Sequence, residues 1–210
     1  MKKREFELLE MTDSEMMGTE VSVDLAETTM HSMKKRLPWL IVLLILGMLI
    51  STVVGAFEEV AAALPIVICF QSLVLDMAGN VGTQSLAVTI RVLMDEKITK
   101  KQKLLLIGKE TKIGLVNGGL LGILAFGLLG IYVHLAKEYL WAAAFRVSGC
   151  VGISLVVAMA VSSLVGTVIP MFFHKIKIDP AAASGPLITT INDLAAVVTY
   201  YGLAYLFLMK

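Results

Sequence analysis

Charge is scarce in this sequence. Asp, Glu, Lys and Arg make up 17% of its 210 residues, and 57% are hydrophobic. Soluble domains carry about 25% charged and about 45–50% apolar residues. With a mean hydropathy of +0.82, a water-soluble globule and a disordered chain are both excluded. The net charge of +1 provides no bulk field for nucleic acid. Cysteine is nearly absent: Cys69 and Cys150 stand alone in apolar runs and read as small buried hydrophobes. His31, His134 and His174 have no mutual metal-ligand spacing. No glycine string ends in Lys-Ser/Thr, so there is no phosphate-binding loop. No nucleophile–base pair is visible, which argues against an enzyme.

What is abundant is apolar sequence long enough to cross a bilayer, which takes about 20 residues. Five stretches qualify: 37 to about 57, about 60 to 93, about 113 to 133, about 141 to 173, and 186 to 209. Pro38 suits the first turn of the first span, where its missing N–H costs nothing. The second stretch is too long for a simple span and contains Pro65, Gly79, Asn80 and Gly82. Residues 1–33 read as an acidic cytosolic tail, with eight acids and three bases and one short helix over 21–33. They do not read as a signal peptide, because the first apolar run begins too far in. Residues 34–210 form the membrane domain. The expected fold is an all-α membrane protein of five transmembrane helices.

Lysine and arginine set the orientation. Fifteen of the eighteen fall on the side of the tail, the 91–112 loop, Lys175 and Lys177. Lys137, Arg146 and Lys210 fall on the other side. The N-terminus is thus expected in the cytoplasm and the C-terminus outside. Trp39, Tyr139 and Trp141 stand at span edges as interfacial anchors. The basic 91–112 loop also suits anionic membrane lipid.

Within the spans, Asp76 and Asp193 stand out. A charged Asp at a helix centre costs about 2.5–3.5 kcal/mol unless it meets a partner, water or an ion. At helical spacing Thr189, Asp193 and Tyr200 form a polar stripe with Ala196 between them, and such a stripe suits a cavity wall. Asp76 precedes Gly79-Asn80-Val81-Gly82-Thr83-Gln84. Two readings of that string stand side by side. One is a break in the helix that frees carbonyls and the Asn80 and Gln84 amides for a cation. The other is close helix packing through small residues. Gly118, Gly119, Gly122, Gly127 and Gly130 in the third span point to packing alone. Oxygen donors without histidine or thiol pairs suit a hard cation such as magnesium. One carboxylate per chain is few for a divalent ion, and a two-fold dimer would supply two.

Met77-Ala78-Gly79-Asn80-Val81-Gly82-Thr83-Gln84-Ser85, followed by Leu86 to Arg91, resembles the second-helix motif of MgtE-type magnesium channels. Asp179 to Pro186, then Thr190 and Asp193, resembles the start of that family's fifth helix. Lys34 to Leu40, and Lys109-Glu110 with Gly114, fall in the same order. The resemblance covers residues 34–210. It implies a homodimer in the cytoplasmic membrane, with a magnesium path at the dimer axis lined by the second and fifth helices. It places the pore carboxylate on Asp193, a backbone carbonyl contact on Thr189 and the pore-lining asparagine on Asn80. Gly79, Gly82, Gln84, Asp76 and Tyr200 are further candidates for the lining. Asp76 matches no family role. The family usually carries a cytosolic N domain and paired CBS domains, where this sequence has its 33-residue tail. Gly185 stands where the family often has Asn.

The expected function is therefore a channel or transporter for Mg2+ or a similar divalent cation. Its rivals are a sodium- or proton-coupled exchanger, with Asp76 as a second coupled site, and a non-transporting membrane subunit.

Overall fold

The computed structural model describes residues 28–94, 98–177 and 180–209. The tail through residue 27, Asp179, Lys210 and the Trp39 side chain lie outside the described residues. Among the described residues six α-helices follow one another: α1 Thr29–Gly55, α2 Glu58–Ala63, α3 Pro65–Leu93, α4 Lys100–Lys137, α5 Trp141–Lys175 and α6 Pro180–Ala204. A π-helical turn, Tyr205–Met209, ends the described chain. Among the described residues there is no strand.

Among the described residues four helical segments are long and apolar enough to cross a membrane: α3, α4, α5 and Leu187–Met209. In α1 the apolar segment is shorter, Leu40–Gly55. Pro38 lies inside α1 rather than in its first turn, because the helix already begins at Thr29.

The long second stretch is divided at Leu64, whose backbone leaves the helical region (φ −132°, ψ 70°). The cause is Pro65, which disfavours helical geometry in the residue before it and opens α3 at its own first position. Beyond Pro65 the helix runs unbroken to Leu93, so the possible break at Gly79–Gly82 does not occur. A continuous helix turns about 100° per residue, which puts Asn80 and Gly82 on opposite faces. Asn80 is exposed and Gly82 buried.

The 91–112 segment is also more helical than a basic loop. Thr99 and Gln102 form a reciprocal capping box, with Gln102 N donating to Thr99 Oγ1 at 3.3 Å and Thr99 N donating to Gln102 Oε1 at 2.8 Å. It starts α4 at Lys100 and carries Glu110 into the interior. The helix stops at Glu138, which adopts the left-handed conformation (φ 58°).

The core sits where α3, α5 and α6 meet, around Val67, Val74, Leu155, Met159, Val197 and Tyr200. Of the five third-span glycines, Gly118, Gly122 and Gly130 do pack closely, while Gly119 and Gly127 face open space. A Cβ on Gly122 would lie 2.7 Å from the Gly152 carbonyl oxygen, so the α4 and α5 backbones touch there. From α1, Ile50, Val53 and Val54 pack on this core, as does Phe57 just beyond it, and Leu44, Ile45 and Met48 remain exposed.

Candidate functional site

Along α3, Ser72, Asp76, Asn80, Thr83 and Gln84 recur every three or four residues and are all exposed. The opposite face carries Val74, Ala78, Val81 and Gly82, all buried. The exposed stripe is polar over several turns of an otherwise apolar helix, and nothing in the described chain covers it. Asn80 Nδ2 donates to Asp76 Oδ2 at 3.2 Å, one turn back along the helix. Thr83 Oγ1 lies 2.9 Å from both the Gly79 and the Asn80 carbonyl oxygens, folding its hydroxyl onto its own backbone. The Gln84 amide remains outward on this face.

On α6, Asp193 is half-buried and Thr189 is exposed, with the Thr189 hydroxyl donating to the Gly185 carbonyl at 3.2 Å. Tyr200 does not share their surroundings. It is 1% exposed and its hydroxyl donates to the Val67 carbonyl at 2.8 Å. Ala196, between them in the expected stripe, is likewise buried. The stripe thus divides, with its first half at the rim and its second half in the core.

Three contacts fix how α6 runs against α3. Tyr200 meets Val67, Tyr201 donates to Gln71 Oε1 at 2.7 Å, and Asn192 abuts Gly82. The helices are antiparallel, and this register sets Asp193 level with Asn80 to within about one turn, about 5 Å. Thr189 falls near Gln84, and Asp76 lies one turn beyond Asn80. By this register Asp193 and Thr189 on α6 stand at heights similar to Asn80 and Gln84 on α3, with Asp76 a turn beyond. Gly79 adjoins that face with open space around it, whereas Gly82 faces inward.

Two polar features escape sequence reasoning. Glu110 is 5% exposed and meets Ser85 Oγ at 3.2 Å, while Ser163 donates to the Glu110 carbonyl at 2.6 Å and lies 2.7 Å from Ser85 Oγ. The Thr99–Gln102 capping box was the available signal, since it begins α4 ahead of Glu110. The other feature is Asn192, fully buried with both side-chain polar atoms unpartnered. No signal in the sequence marks it.

Among the described residues no three His, Cys, Asp or Glu side chains converge on a point. On α6 the chain presents one half-buried carboxylate, Asp193, and on α3 the exposed Asp76, Asn80 and Gln84 side chains. That donor set suits a cation that keeps most of its water.

The family model that matches residues 71–203 is MgtE, described as a divalent cation transporter. A magnesium transporter MgtE of Enterococcus faecalis is 36% identical over 197 residues, covering 93% of this chain and 41% of that protein. One from Bacillus subtilis is 36% identical over 174 residues, covering 83% and 37%. One from Thermus thermophilus is 30% identical over 173 residues, covering 82% and 36%. The chain thus spans well under half the length of these relatives. The matched region takes in most of α3, all of α4 and α5 and nearly all of α6, with the polar residues of α3 and α6 described above. On these grounds this multi-pass membrane protein belongs to the MgtE family of divalent cation transporters, a family of ion carriers rather than enzymes.

Proposed function

We propose that the chain conducts Mg2+ across the cytoplasmic membrane along a path between two copies of itself, with the two Asp193 carboxylates holding a largely hydrated ion. The observation that carries this reading is the polar stripe of α3. At membrane depth a polar face must meet water or protein, and Asp76, Asn80 and Gln84 are exposed on the outside of the bundle. A second copy placed on that face by a two-fold axis would enclose the stripe and bring two half-buried Asp193 side chains toward one ion.

In this arrangement Asp193 supplies charge, and Asn80 and the Thr189 carbonyl accept hydrogen bonds from the ion's water shell. The Thr189 carbonyl retains a second lone pair beyond its helix bond. Magnesium dehydrates reluctantly and demands near-octahedral geometry, so a site that reads the water shell favours it over calcium. In the low-dielectric surroundings of the path, the attraction exceeds what the same charges give in water. α1 serves as a fifth membrane helix, with the N-terminus in the cytoplasm on the lysine-rich side.

Asp76 favours a second reading. Its hydrogen bond to Asn80 puts another carboxylate one turn from the ion, as a sodium- or proton-coupled exchanger would require. Flux that persists without either gradient rejects that reading. The main proposal is tested by growth of a magnesium-dependent strain at low magnesium. The wild-type chain is expected to restore growth and Asp193→Ala to abolish it at equal membrane expression. Growth unaffected by Asp193→Ala would favour a non-transporting subunit.

A further inference from the structure

Asn192 is 0% exposed, and neither Nδ2 nor Oδ1 has a hydrogen-bond partner. Ser162 Oγ, on the adjoining face of α5, is also buried and unpartnered. Buried polar groups are normally satisfied, and inside a membrane protein no bulk water makes up for a missing partner. An amide in this position is held by packing alone.

The seat exists because residue 82 is glycine. A Cβ there would collide with Asn192 Nδ2 and lie 3.1 Å from its Cγ. The wall behind the seat is fixed: a Cβ on Gly166 would collide with the Gly82 carbonyl oxygen, so α3 and α5 meet backbone to backbone. Tyr200 and Tyr201 tie the later turns of α6 to α3, so a shift at Asn192 would be confined to the earlier turns. Asn192 and Asp193 are consecutive, about 100° apart around α6, one in the core and the other at the rim. A new Asn192 rotamer with a local shift of these turns would carry the amide past Gly82 toward the rim, where Asp193 lies.

We propose that Asn192 is a positioning residue of the ion path. Seated on Gly82 it keeps Asp193 partly withdrawn, and when released it satisfies its amide on the ion's water shell beside Asp193. This rests on the magnesium-path reading above, and the first arm of its test does not depend on flux.

In proteoliposomes of a Cys69→Ser background, Asn192→Cys is exposed to a water-soluble thiol reagent, with buried Cys150 as the internal reference. Release from the seat predicts modification at least about tenfold faster than Cys150; equal rates overturn the proposal whether or not the protein carries magnesium. The second arm uses Asn192→Leu and Gly82→Ala. Leucine removes the unpartnered amide and favours the seated state, so thermal stability rises while Mg2+ flux falls by about tenfold. Alanine at 82 displaces a side-chain tip, so stability does not rise and flux stays at or above wild type. An Asn192→Leu protein that is less stable, or more stable with unchanged flux, contradicts the proposal.

Discussion

The Tyr200 hydroxyl donates to the Val67 carbonyl oxygen across 2.8 Å, tying α6 to the first turn of α3. Both residues are fully buried, so the bond fixes the register that sets Asp193 level with Asn80. Tyr200→Phe keeps the ring and removes one hydrogen bond, a loss of about 1 kcal/mol. The expected result is a fall in thermal midpoint of about 2–4 °C, measured by unfolding in detergent. Tyr200→Ala also loses the ring and is expected to cost about 3–5 kcal/mol.

Glu110 ties α4 to Ser85 of α3 and Ser163 of α5 on the side away from the polar stripe. Glu110→Ala leaves Ser85 short of a partner and opens a small void. A midpoint loss equivalent to about 2–4 kcal/mol is expected, with Mg2+ flux per folded molecule unchanged. Flux lost without loss of stability would place Glu110 in the path.

Two neighbouring glycines on α4 give a matched pair. Gly122 touches the Gly152 backbone, whereas Gly119 has nothing within 4 Å of where a Cβ would stand. Gly122→Leu must force α4 and α5 apart and is expected to reduce folded yield severely, as overpacking costs about 1–3 kcal/mol or more. Gly119→Leu is expected to express at wild-type levels. Size-exclusion profiles of fluorescently tagged variants check both.

Asp76 shares a hydrogen bond with Asn80 but lies a turn away from Asp193. Asp76→Asn keeps a polar side chain of the same shape there and removes one charge. It is expected to lower Mg2+ flux by about two- to fivefold, the scale of a partly screened charge near the path. The effect should shrink as ionic strength rises in the same liposome assay.

Much of this architecture was legible in residue order. Apolar length alone marks α3, α4, α5 and α6 as membrane helices, and Pro65 marks where α3 begins. The facing of residues within a helix was less accessible. Periodicity groups Thr189, Asp193 and Tyr200 on one stripe, but the α3 register buries Tyr200 against Val67 and leaves Thr189 at the surface. Gly79 and Gly82 look alike in sequence, yet only Gly82 meets Asn192. The lysines of 91–112 conceal a helix start because surface charge dominates the local composition. Asn192 could not be found this way, since its lack of partners depends on what α3 and α5 present to it.

The central claim is that Asp193 holds the ion on its way through the membrane. Mg2+ uptake into liposomes measures it most directly, comparing wild type with Asp193→Asn and adding Ca2+ as competitor. The account predicts rapid uptake by wild type that excess Ca2+ barely slows, and near-background uptake by Asp193→Asn at equal protein. Wild-type rates retained in Asp193→Asn would contradict it.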